Sequence, residues 1–143
     1  MKTGFTCSSF DLLHAGHIMM LKECRNNCDK LVVGLQTDPT IDRPDKNNPV
    51  QSYFERYVQI EAVKYVDEIC PYETEEDLVR LICHVAPDIR FIGEDWKEKE
   101  FTGHDLGIEV FYNKRYGYST SDLRKQVVMN TWWGVEAANE IGT

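Results

Sequence analysis

The stretch that most constrains the fold is residues 31–35, five consecutive residues without a polar side chain. Such a run is typical of a parallel strand that is buried on both faces of its sheet. Apolar residues at helical spacing precede it in residues 17–25, and a polar stretch rich in Asp, Asn and Pro follows it in residues 37–51. A strand buried on both faces needs helices on each side, so this stretch predicts an α/β fold.

Strands and helices are expected to alternate along the rest of the chain. Short apolar segments predict strands at residues 2–7, 66–70, 89–92 and 108–112, and helical spacing predicts helices at 17–25, 73–85 and 119–129. Ser52 followed three residues later by Glu55 is the pattern of a capping box, so another helix begins there and continues to residue 64. This order predicts a doubly wound parallel sheet in a single domain.

A doubly wound sheet binds its ligand at the carboxyl ends of its strands. Three loops are therefore predicted to meet there: residues 8–17, 37–51 and 93–96, with the turn at 115–121 beside them. The loop at 37–51 is long for a compact α/β domain, and loops of that length are usually functional or disordered.

Composition limits the partners of the chain. Its 143 residues carry a net charge of −8, which argues against broad binding to nucleic acid but allows a small phosphorylated ligand. No apolar run approaches the roughly 20 residues that span a bilayer, and the first residues do not form a secretion signal, so we expect a cytoplasmic protein without a membrane partner. The odd number of cysteines predicts reduced thiols. Cys24 and Cys28 are predicted core residues, with a shared metal or disulfide as the alternative.

His14 and His17 are the first candidates for chemistry. Three residues apart at a helix start, their imidazoles are predicted to project from the same side. Gly16 between them lets a ligand approach the backbone, and the amides of a helix N-terminus favour anions. Donors of this kind suit a phosphoryl group that gains charge in its transition state. A metal-binding pair and two surface histidines without a role are the alternatives.

The string Phe-Asp-x-x-His-x-Gly-His after a first strand is the signature of the nucleotidylyltransferase superfamily of Rossmann-like α/β enzymes, and residues 10–17 match it throughout. The chain resembles the cytidylyltransferase group, and is most similar to the glycerol-3-phosphate cytidylyltransferases. The resemblance runs from about residue 5 to 128, and it is carried by residues 10–17, 31–38, 65–68, 93–96 and 115–121.

The resemblance implies a reaction and its components. A catalytic domain over residues 1–128, followed by a C-terminal tail over 129–143, would transfer CMP from CTP to a phosphorylated alcohol such as glycerol 3-phosphate and release pyrophosphate. It also implies Mg²⁺ as cofactor and a homodimer. The implied catalytic residues are His14, His17, Lys46 and Arg115.

The resemblance also assigns nucleotide-binding residues. Ser9 takes the place of a family Thr that contacts phosphate, and Ser8 stands where the family usually has Gly. Residues 93–96 correspond to the loop that reads the base, where Trp96 is either a nucleotide contact or a core aromatic. An Arg followed by hydroxyl residues at a helix start grips phosphate oxygens, and an ordinary helix cap is the alternative. The implied set is Ser8, Ser9, Phe10, Gly16, Gly93, Glu94, Asp95, Arg115, Tyr118, Ser119, Thr120 and Ser121.

The acceptor is expected to contact Asp11, Asp38, Arg43, Lys46 and Arg56. Asp11 is predicted to orient a histidine or help hold Mg²⁺, and a loop-capping role is the alternative. Arg56 is predicted to contact phosphate or to pair with Glu55 or Asp38. A solvated charge pair is the alternative for Arg43 and Lys46.

Three other functions remain open at this point. Some adenylyltransferases, including those that act on heptose phosphates, share the histidine string, a similar base loop and a similar closing element. They would use ATP and a sugar phosphate. A non-catalytic nucleotide-binding module and a zinc-binding domain that uses His14, His17 and Cys24 or Cys28 are the remaining alternatives.

Overall fold

A computed structural model describes residues 1–46 and 48–142, with the side chains through residue 131. Its five strands form one sheet in the order β3-β2-β1-β4-β5, and every neighbouring pair is parallel. The strands are β1 (Thr3–Ser8), β2 (Lys30–Gln36), β3 (Glu68–Tyr72), β4 (Ile89–Gly93) and β5 (Glu109–Asn113). The predicted single-domain, doubly wound Rossmann-like sheet is therefore confirmed.

Four α-helices connect and flank the strands: α1 (Ala15–Asn26), α2 (Tyr53–Glu61), α3 (Glu75–Val85) and α4 (Thr120–Gly142). The predicted capping box of α2 is present, with Ser52 Oγ accepting from the Glu55 amide at 3.2 Å and Glu55 Oε1 accepting from the Ser52 amide at 3.2 Å. This helix ends at Glu61, three residues before its predicted end, and Val63 then turns into the core. The third strand starts two residues later than predicted.

The two faces of the sheet carry separate apolar clusters. Leu31, Val33 and Leu35 of β2 point to the face covered by α1 and α2, where they pack with Leu21 and Ile60. Alternate strand residues point to the other face, which α3 covers with Leu78 and Ile82. The strand predicted from residues 31–35 is thus buried on both sides, which explains its apolar sequence.

The sheet reverses its strand order at β1, which lies between β2 and β4. The loop after β1 leads to α1 on one face, whereas the helix before β4 is α3 on the other face. A cleft forms where these two connections diverge, at the carboxyl ends of the strands.

Helix α4 extends well beyond the predicted end near residue 129 and continues to Gly142. Trp132 and Trp133, in the predicted tail, have side chains outside the described residues. Across the described part of the chain, the model contains no helix with the length and hydrophobicity that crossing a membrane requires.

Candidate active site

A cleft of about 440 Å³ opens at the carboxyl ends of the strands. All four predicted loops contribute to its wall. On the α1 face it is lined by His14, Gly16, His17, Asn113, Arg115 and Thr120, which we call the histidine lobe. On the α3 face it is lined by Cys7, Tyr72, Glu75, Arg90, Phe101 and Thr102, which we call the arginine lobe.

The two signature histidines cap helix α1 reciprocally. His14 Nδ1 accepts from the Gly16 amide at 3.0 Å, and His17 Nδ1 accepts from the His14 amide at 3.2 Å. The rings stack with 3.9 Å between their centroids. This arrangement is a capping box built from imidazoles, and it places both rings on the same side of the helix as predicted.

The capping contacts determine which ring nitrogens carry protons. Because each Nδ1 accepts a backbone hydrogen bond, each neutral ring must carry its proton on Nε2. His14 Nε2 is buried and has no partner among the described residues. Burial lowers the pKa of His14, and burial together with the neighbouring imidazole lowers the pKa of His17 to about 4. Near neutral pH the pair therefore offers two neutral N–H donors.

The turn between β1 and α1 holds the histidines in an unusual backbone conformation. Phe10 and Leu12 adopt φ values of 48° and 51°, which side-chain-bearing residues rarely do. The predicted nucleotide contact of Phe10 is wrong for its side chain, which is 1% exposed and packs edge-on against His17 with centroids 5.4 Å apart. A Cβ at Gly16 would lie 2.9 Å from both His14 Cε1 and Tyr118 Cβ, so the glycine is required by close packing within the protein itself.

Asp11 ties this turn to the second loop and does not orient a histidine. Its carboxylate accepts from the amides of Val50 at 2.8 Å and Gln51 at 3.0 Å, and it pairs with Arg124 at 2.7 Å. Although burial acts to raise it, these hydrogen bonds hold the pKa of Asp11 below its usual value. With its oxygens occupied in this way, Asp11 has the loop-capping role, and the predicted Mg²⁺ and substrate contacts are not supported.

Arg56, predicted to contact the acceptor, is buried away from the cleft. Its side chain is 1% exposed and lies outside the cleft wall. The guanidinium donates to the carbonyls of Gln36 at 2.6 Å, Thr37 at 2.7 Å, Ser9 at 2.8 Å and Gln51 at 3.2 Å. The predicted ion pairs with Glu55 and Asp38 are therefore wrong, and the predicted phosphate contact is not supported: Arg56 joins the end of β2 and two loops through their backbone.

Asp38 also has a local role. Its Oδ1 accepts from both the amide of Thr40 at 2.9 Å and the hydroxyl of Thr40 at 2.6 Å, which closes a turn in the long loop. These contacts lower the pKa of Asp38. Its predicted contact with the acceptor is not supported, because it is absent from the cleft wall that the described residues form.

Arg43 and Lys46 both line the cleft. Arg43 pairs with Glu75 at 3.3 Å, so the long loop contacts the start of α3. The second loop thus brings two cations to the cleft, where the sequence predicted them. Their contacts with substrate remain predictions.

The base loop and the closing element contact each other. Arg115 pairs with Asp95 at 3.0 Å, and its amide donates to Glu94 Oε1 at 3.2 Å. Gly93, Asp95 and Trp96 line the cleft, whereas Glu94 does not. Trp96 is 36% exposed, which rules out the core alternative.

The closing element begins helix α4. Ser119 Oγ accepts from the Asp122 amide at 3.1 Å, so this hydroxyl acts as a helix cap. Thr120 donates to the Asp11 carbonyl at 3.2 Å. Tyr118, Ser119 and Thr120 line the cleft, and Ser121 is exposed outside it. The cap alternative is thus present for Ser119, which still faces the cleft.

Glu23 was missed by the sequence interpretation. From α1 it accepts from Asn113 Nδ2 at 2.9 Å, the Lys114 amide at 3.0 Å and the Tyr116 hydroxyl at 2.9 Å. It anchors the chain on both sides of Arg115, although nothing in the spacing of α1 distinguishes it from a surface residue.

Arg90 was also missed, although the sequence carried a signal for it. It is the one charged residue in the strand Ile89–Gly93, and it is 4% exposed. Ile89 and Phe91 face the α1 side, so Arg90 points into the arginine lobe. A charge within an apolar strand is a reason to suspect a site, because burying it is costly.

The cysteines do not form a metal site with the histidines in the described part of the chain. Cys24 is fully buried beside Asn113 and Met20, in the predicted core position. No cluster of three or more His, Cys, Asp or Glu residues suited to a metal occurs among the described residues. The zinc-binding alternative therefore lacks a ligand set there.

The chain resembles known proteins over most of its length. A family model described as cytidylyltransferase-like matches residues 5–126. The bifunctional protein HldE of Rhodopseudomonas palustris (strain TIE-1) is 32% identical over 129 residues, and that of Bradyrhizobium sp. (strain ORS 278) is 36% identical over 129 residues. Each alignment covers 86% of this chain and 26% of the relative, so the chain spans about a quarter of the length of these relatives.

Solved structures agree with the fold. A lipopolysaccharide core biosynthesis protein from Thermoplasma volcanium GSS1 is 30% identical, with a TM-score of 0.65 over 83% of this chain and 99% of that protein. Pantothenate synthetase from Thermus thermophilus is 16% identical, with a TM-score of 0.59 over 80% of this chain and 56% of that chain, and this likeness shows the fold alone. With the histidine signature at the switch point of the sheet, the match over residues 5–126 shows that the chain belongs to the cytidylyltransferase-like family of the nucleotidylyltransferase superfamily.

Proposed function

We propose that this chain transfers a nucleoside monophosphate group from a nucleoside triphosphate to a sugar phosphate and releases pyrophosphate, with ATP as the nucleotide. The observation that carries the proposal is the reciprocally capped histidine pair, which lines the cleft with both neutral rings protonated on Nε2. The proposal concerns the segment that the chain shares with its longer relatives.

The reaction needs no covalent intermediate on the protein. A phosphate oxygen of the acceptor, already anionic, attacks the α-phosphorus in line. The new P–O bond forms as the bond to the bridging oxygen of the β-phosphate breaks, and pyrophosphate leaves. Cys7 is no rival nucleophile, because burial raises the pKa of its thiol. Positioning and charge stabilisation supply the catalysis.

His14 and His17 would donate from Nε2 to the oxygens of the α-phosphate as charge develops there. Rigid donors are effective because they do not reorganise during the reaction. Here the backbone amides of α1 fix the two rings, and the rings stack, so both are held before substrate arrives.

Arg115, Lys46 and Arg43 would stabilise the triphosphate and the acceptor phosphate. Arg115 pairs with Asp95, and both side chains are about half exposed. Exposed ion pairs contribute about 0–1 kcal/mol, so phosphate oxygens can displace Asp95 at little cost. Ser119 and Thr120 would add hydroxyl contacts from the start of α4.

Mg²⁺ is expected to arrive bound to the triphosphate, as part of the nucleotide substrate. The described residues form no carboxylate cluster that would hold the ion alone. Asp11 is occupied by two amides and Arg124. The chain would therefore recognise the metal–nucleotide complex chiefly through the nucleotide.

Two similarities favour a sugar phosphate as acceptor and ATP as nucleotide. The relatives at 32% and 36% identity carry the name HldE, and we take this as support for the heptose-phosphate adenylyltransferase branch that shares the sequence signatures. The solved structure at 30% identity is described as a lipopolysaccharide core biosynthesis protein, which also points to sugar chemistry.

CTP with glycerol 3-phosphate is the second candidate. Arg115 before the Ser-Thr-Ser run is the feature of the cytidylyltransferase group, and the family model is described as cytidylyltransferase-like. In this case the product would be a CDP-activated precursor for surface polymers or lipids. The reaction and the histidine pair would be the same, and only the base and the acceptor would differ.

Pyrophosphate release in the presence of Mg²⁺ tests the proposal. ATP and CTP are each crossed with hexose 1-phosphates, heptose 1-phosphates, glycerol 3-phosphate and phosphocholine. We expect release with ATP and a sugar 1-phosphate, and none when the acceptor is omitted. Release only with CTP and glycerol 3-phosphate would favour the second candidate. Nucleotide binding without release in any combination would contradict both and favour a binding module.

The homodimer and the cytoplasmic location are further parts of the proposal. Helix α4 exposes Val127, Val128 and Met129 at 57%, 66% and 68%, and such residues suit a contact with a second chain. Light scattering after size-exclusion chromatography should give twice the chain mass. A monomer at micromolar concentration would contradict the dimer.

A further inference from the structure

The arginine lobe contains a buried positive charge that the described residues do not neutralise. Arg90 is 4% exposed, and no carboxylate of the described residues lies within 4.0 Å of its guanidinium. Burying an ion without a partner carries a penalty of several kcal/mol. A residue kept at that cost in the middle of a strand calls for a functional explanation.

The contacts of Arg90 leave its Nε donor without a partner among the described residues. Nη1 donates to the Thr102 carbonyl, Nη2 lies 3.9 Å from Cys7 Sγ, and the Phe101 ring lies 4.9 Å from Cζ. Nε is buried and has no acceptor in the described part of the molecule. Buried polar groups are nearly always satisfied by protein, water or ligand. Arg90 lines the cleft, so the acceptor that the described residues do not provide would come from water or from a ligand.

The same lobe holds a carboxylate. Glu75, at the start of α3, accepts from the Thr102 hydroxyl at 2.8 Å and pairs with Arg43 at 3.3 Å. Thr102 thus links the two charged residues: its carbonyl accepts from Arg90 and its hydroxyl donates to Glu75. The lobe therefore contains a cation and an anion that share Thr102 as a hydrogen-bond partner.

This pair of charges selects among the parts of a substrate. Glu75 would weaken the binding of a phosphate group to Arg90, and an aliphatic group would leave the Nε proton of Arg90 without an acceptor. Hydroxyl groups are neutral, and each can donate to a carboxylate and accept from a guanidinium. The lobe therefore fits a group with several hydroxyls, such as the ring of a sugar.

We propose that the arginine lobe binds the sugar ring of the acceptor, and that Arg90 and Glu75 determine which acceptor is used. The inference rests on the proposed nucleotidyl transfer, because the acceptor phosphate must then reach the histidine lobe. The two lobes belong to one cleft, so a single sugar phosphate can place its hydroxyls in one and its phosphate in the other.

The test compares wild type with Arg90→Met and Glu75→Gln. Arg80→Met is the matched control, because Arg80 is an exposed arginine of α3 that pairs only with Glu76 and Asp77 among the described residues. KM is measured for a reactive sugar 1-phosphate and, separately, for the nucleotide. Calorimetric titration of the same sugar 1-phosphate without nucleotide measures its affinity independently of turnover.

We expect Arg90→Met to raise the KM and Kd for the sugar phosphate about 10- to 100-fold, as for loss of a hydrogen bond to a charged group. Glu75→Gln should give a smaller rise in the same two values. The KM for the nucleotide should stay near that of wild type in both variants, and Arg80→Met should change none of these values. An acceptor-specific effect of this kind is not expected from a general loss of structure.

Wild-type sugar-phosphate affinity in folded Arg90→Met would overturn the inference. A rise in the nucleotide KM alone would also overturn it, because Arg90 would then belong to the nucleotide site. Circular dichroism and thermal unfolding verify folding. If Arg90→Met does not fold, Arg90→Lys keeps the charge but moves the donor, and unchanged acceptor affinity in both Arg90→Lys and Glu75→Gln would refute the subsite.

The two measurements also separate this inference from the proposed function. Turnover with a sugar phosphate that does not depend on Arg90 or Glu75 would leave the function standing and refute the subsite. Binding of the sugar phosphate that depends on Arg90, without pyrophosphate release from either nucleotide, would support the subsite and refute the transfer. Absence of both binding and release would refute the two together.

Discussion

The two lobes of the cleft each end in a buried donor without a partner among the described residues, but they hold it in opposite ways. In the histidine lobe the donor is His14 Nε2, a neutral group whose ring is fixed by backbone amides. In the arginine lobe it is Arg90 Nε, part of a permanent charge on an otherwise apolar strand. Under the proposed function, the first lobe would stabilise a charge that develops during reaction, and the second would recognise a substrate before reaction.

Two buried arginines differ in how many of their donors have partners. Arg56 and Arg90 are buried to a similar degree, at 1% and 4% exposure. Arg56 donates hydrogen bonds to four carbonyls, whereas Arg90 Nε has no acceptor in the described part of the chain. Low exposure therefore does not distinguish these two arginines, whereas the number of satisfied donors does.

Removing the imidazole donors of the histidine lobe should have the largest effect, a loss of turnover. We expect His14→Ala or His17→Ala to lower turnover about 100- to 1,000-fold, which is typical for loss of one transition-state donor. Pyrophosphate release at saturating substrate measures this. His84→Ala, at an exposed position near the end of α3, is the control. Near-normal turnover in either folded signature variant would remove the basis for the comparison of the lobes.

The two buried arginines should differ in their effect on stability. Arg56→Met leaves four carbonyls without their donor, at about 1–3 kcal/mol for each unsatisfied group, so the free energy of unfolding should fall by at least about 4 kcal/mol. Arg90→Met removes an unpaired buried charge, and we expect a change within about 1 kcal/mol or a gain. Urea unfolding of both variants measures the difference, and equal losses would contradict the assignment of separate roles.

Much of the fold follows from local patterns in the sequence. The run at 31–35 and the Ser52–Glu55 capping box are complete within a few residues, so they predict a strand and a helix start correctly. The end of α2 and the start of β3 were misplaced because the register of β3 on β2 depends on pairing across the sheet. The length of α4 was underestimated because the apolar residues beyond 129 lack helical spacing.

The site was predicted well where it depends on topology and poorly where it depends on backbone partners. Parallel strands bring their following loops together, so the residues of four loops meet in one cleft. Asp11, Asp38 and Arg56 were assigned to substrate because sequence does not show which amides and carbonyls come near a side chain. Arg90 was overlooked because its strand was interpreted only as a buried element.

The tie between Asp11 and the long loop predicts a pH-dependent effect. Because the folded-state pKa of Asp11 is lowered, its stabilisation is present above the unfolded pKa and is lost as the pH falls through the folded value. We expect Asp11→Asn to lower the free energy of unfolding by about 1–3 kcal/mol at pH 7. The gap from wild type should shrink below about pH 4.

Asp105→Asn, at an exposed position, serves as the control for that measurement. A loss that stays constant from pH 7 to pH 3 would show that the carboxylate charge contributes nothing. The connection between the first turn and residues 50–51 would then depend on shape alone.

The smallest effect is a change in the titration of His17. Its pKa of about 4 lies below the ordinary value of 6.5. Between pH 6.5 and pH 4, the unfolded chain therefore binds a proton at this imidazole that the folded chain does not bind. Stability should therefore fall as the pH drops through this window. Nitrogen-15 spectra of the imidazoles should show Nε2 protonated and Nδ1 unprotonated at pH 7, with no titration of His17 above pH 5.5. Protonated Nδ1 at pH 7 would contradict the capping arrangement.

The imidazole capping box has a consequence for how such a domain changes over time. Under the proposed function, substituting either histidine would remove a transition-state donor and would also free an amide at the start of α1. Active-site residues often trade stability against activity, but here the same side chains would serve both. A variant that loses activity by substitution at either position should therefore also lose stability in the first turn of α1, unless the new side chain is itself a good helix cap such as Ser or Asp.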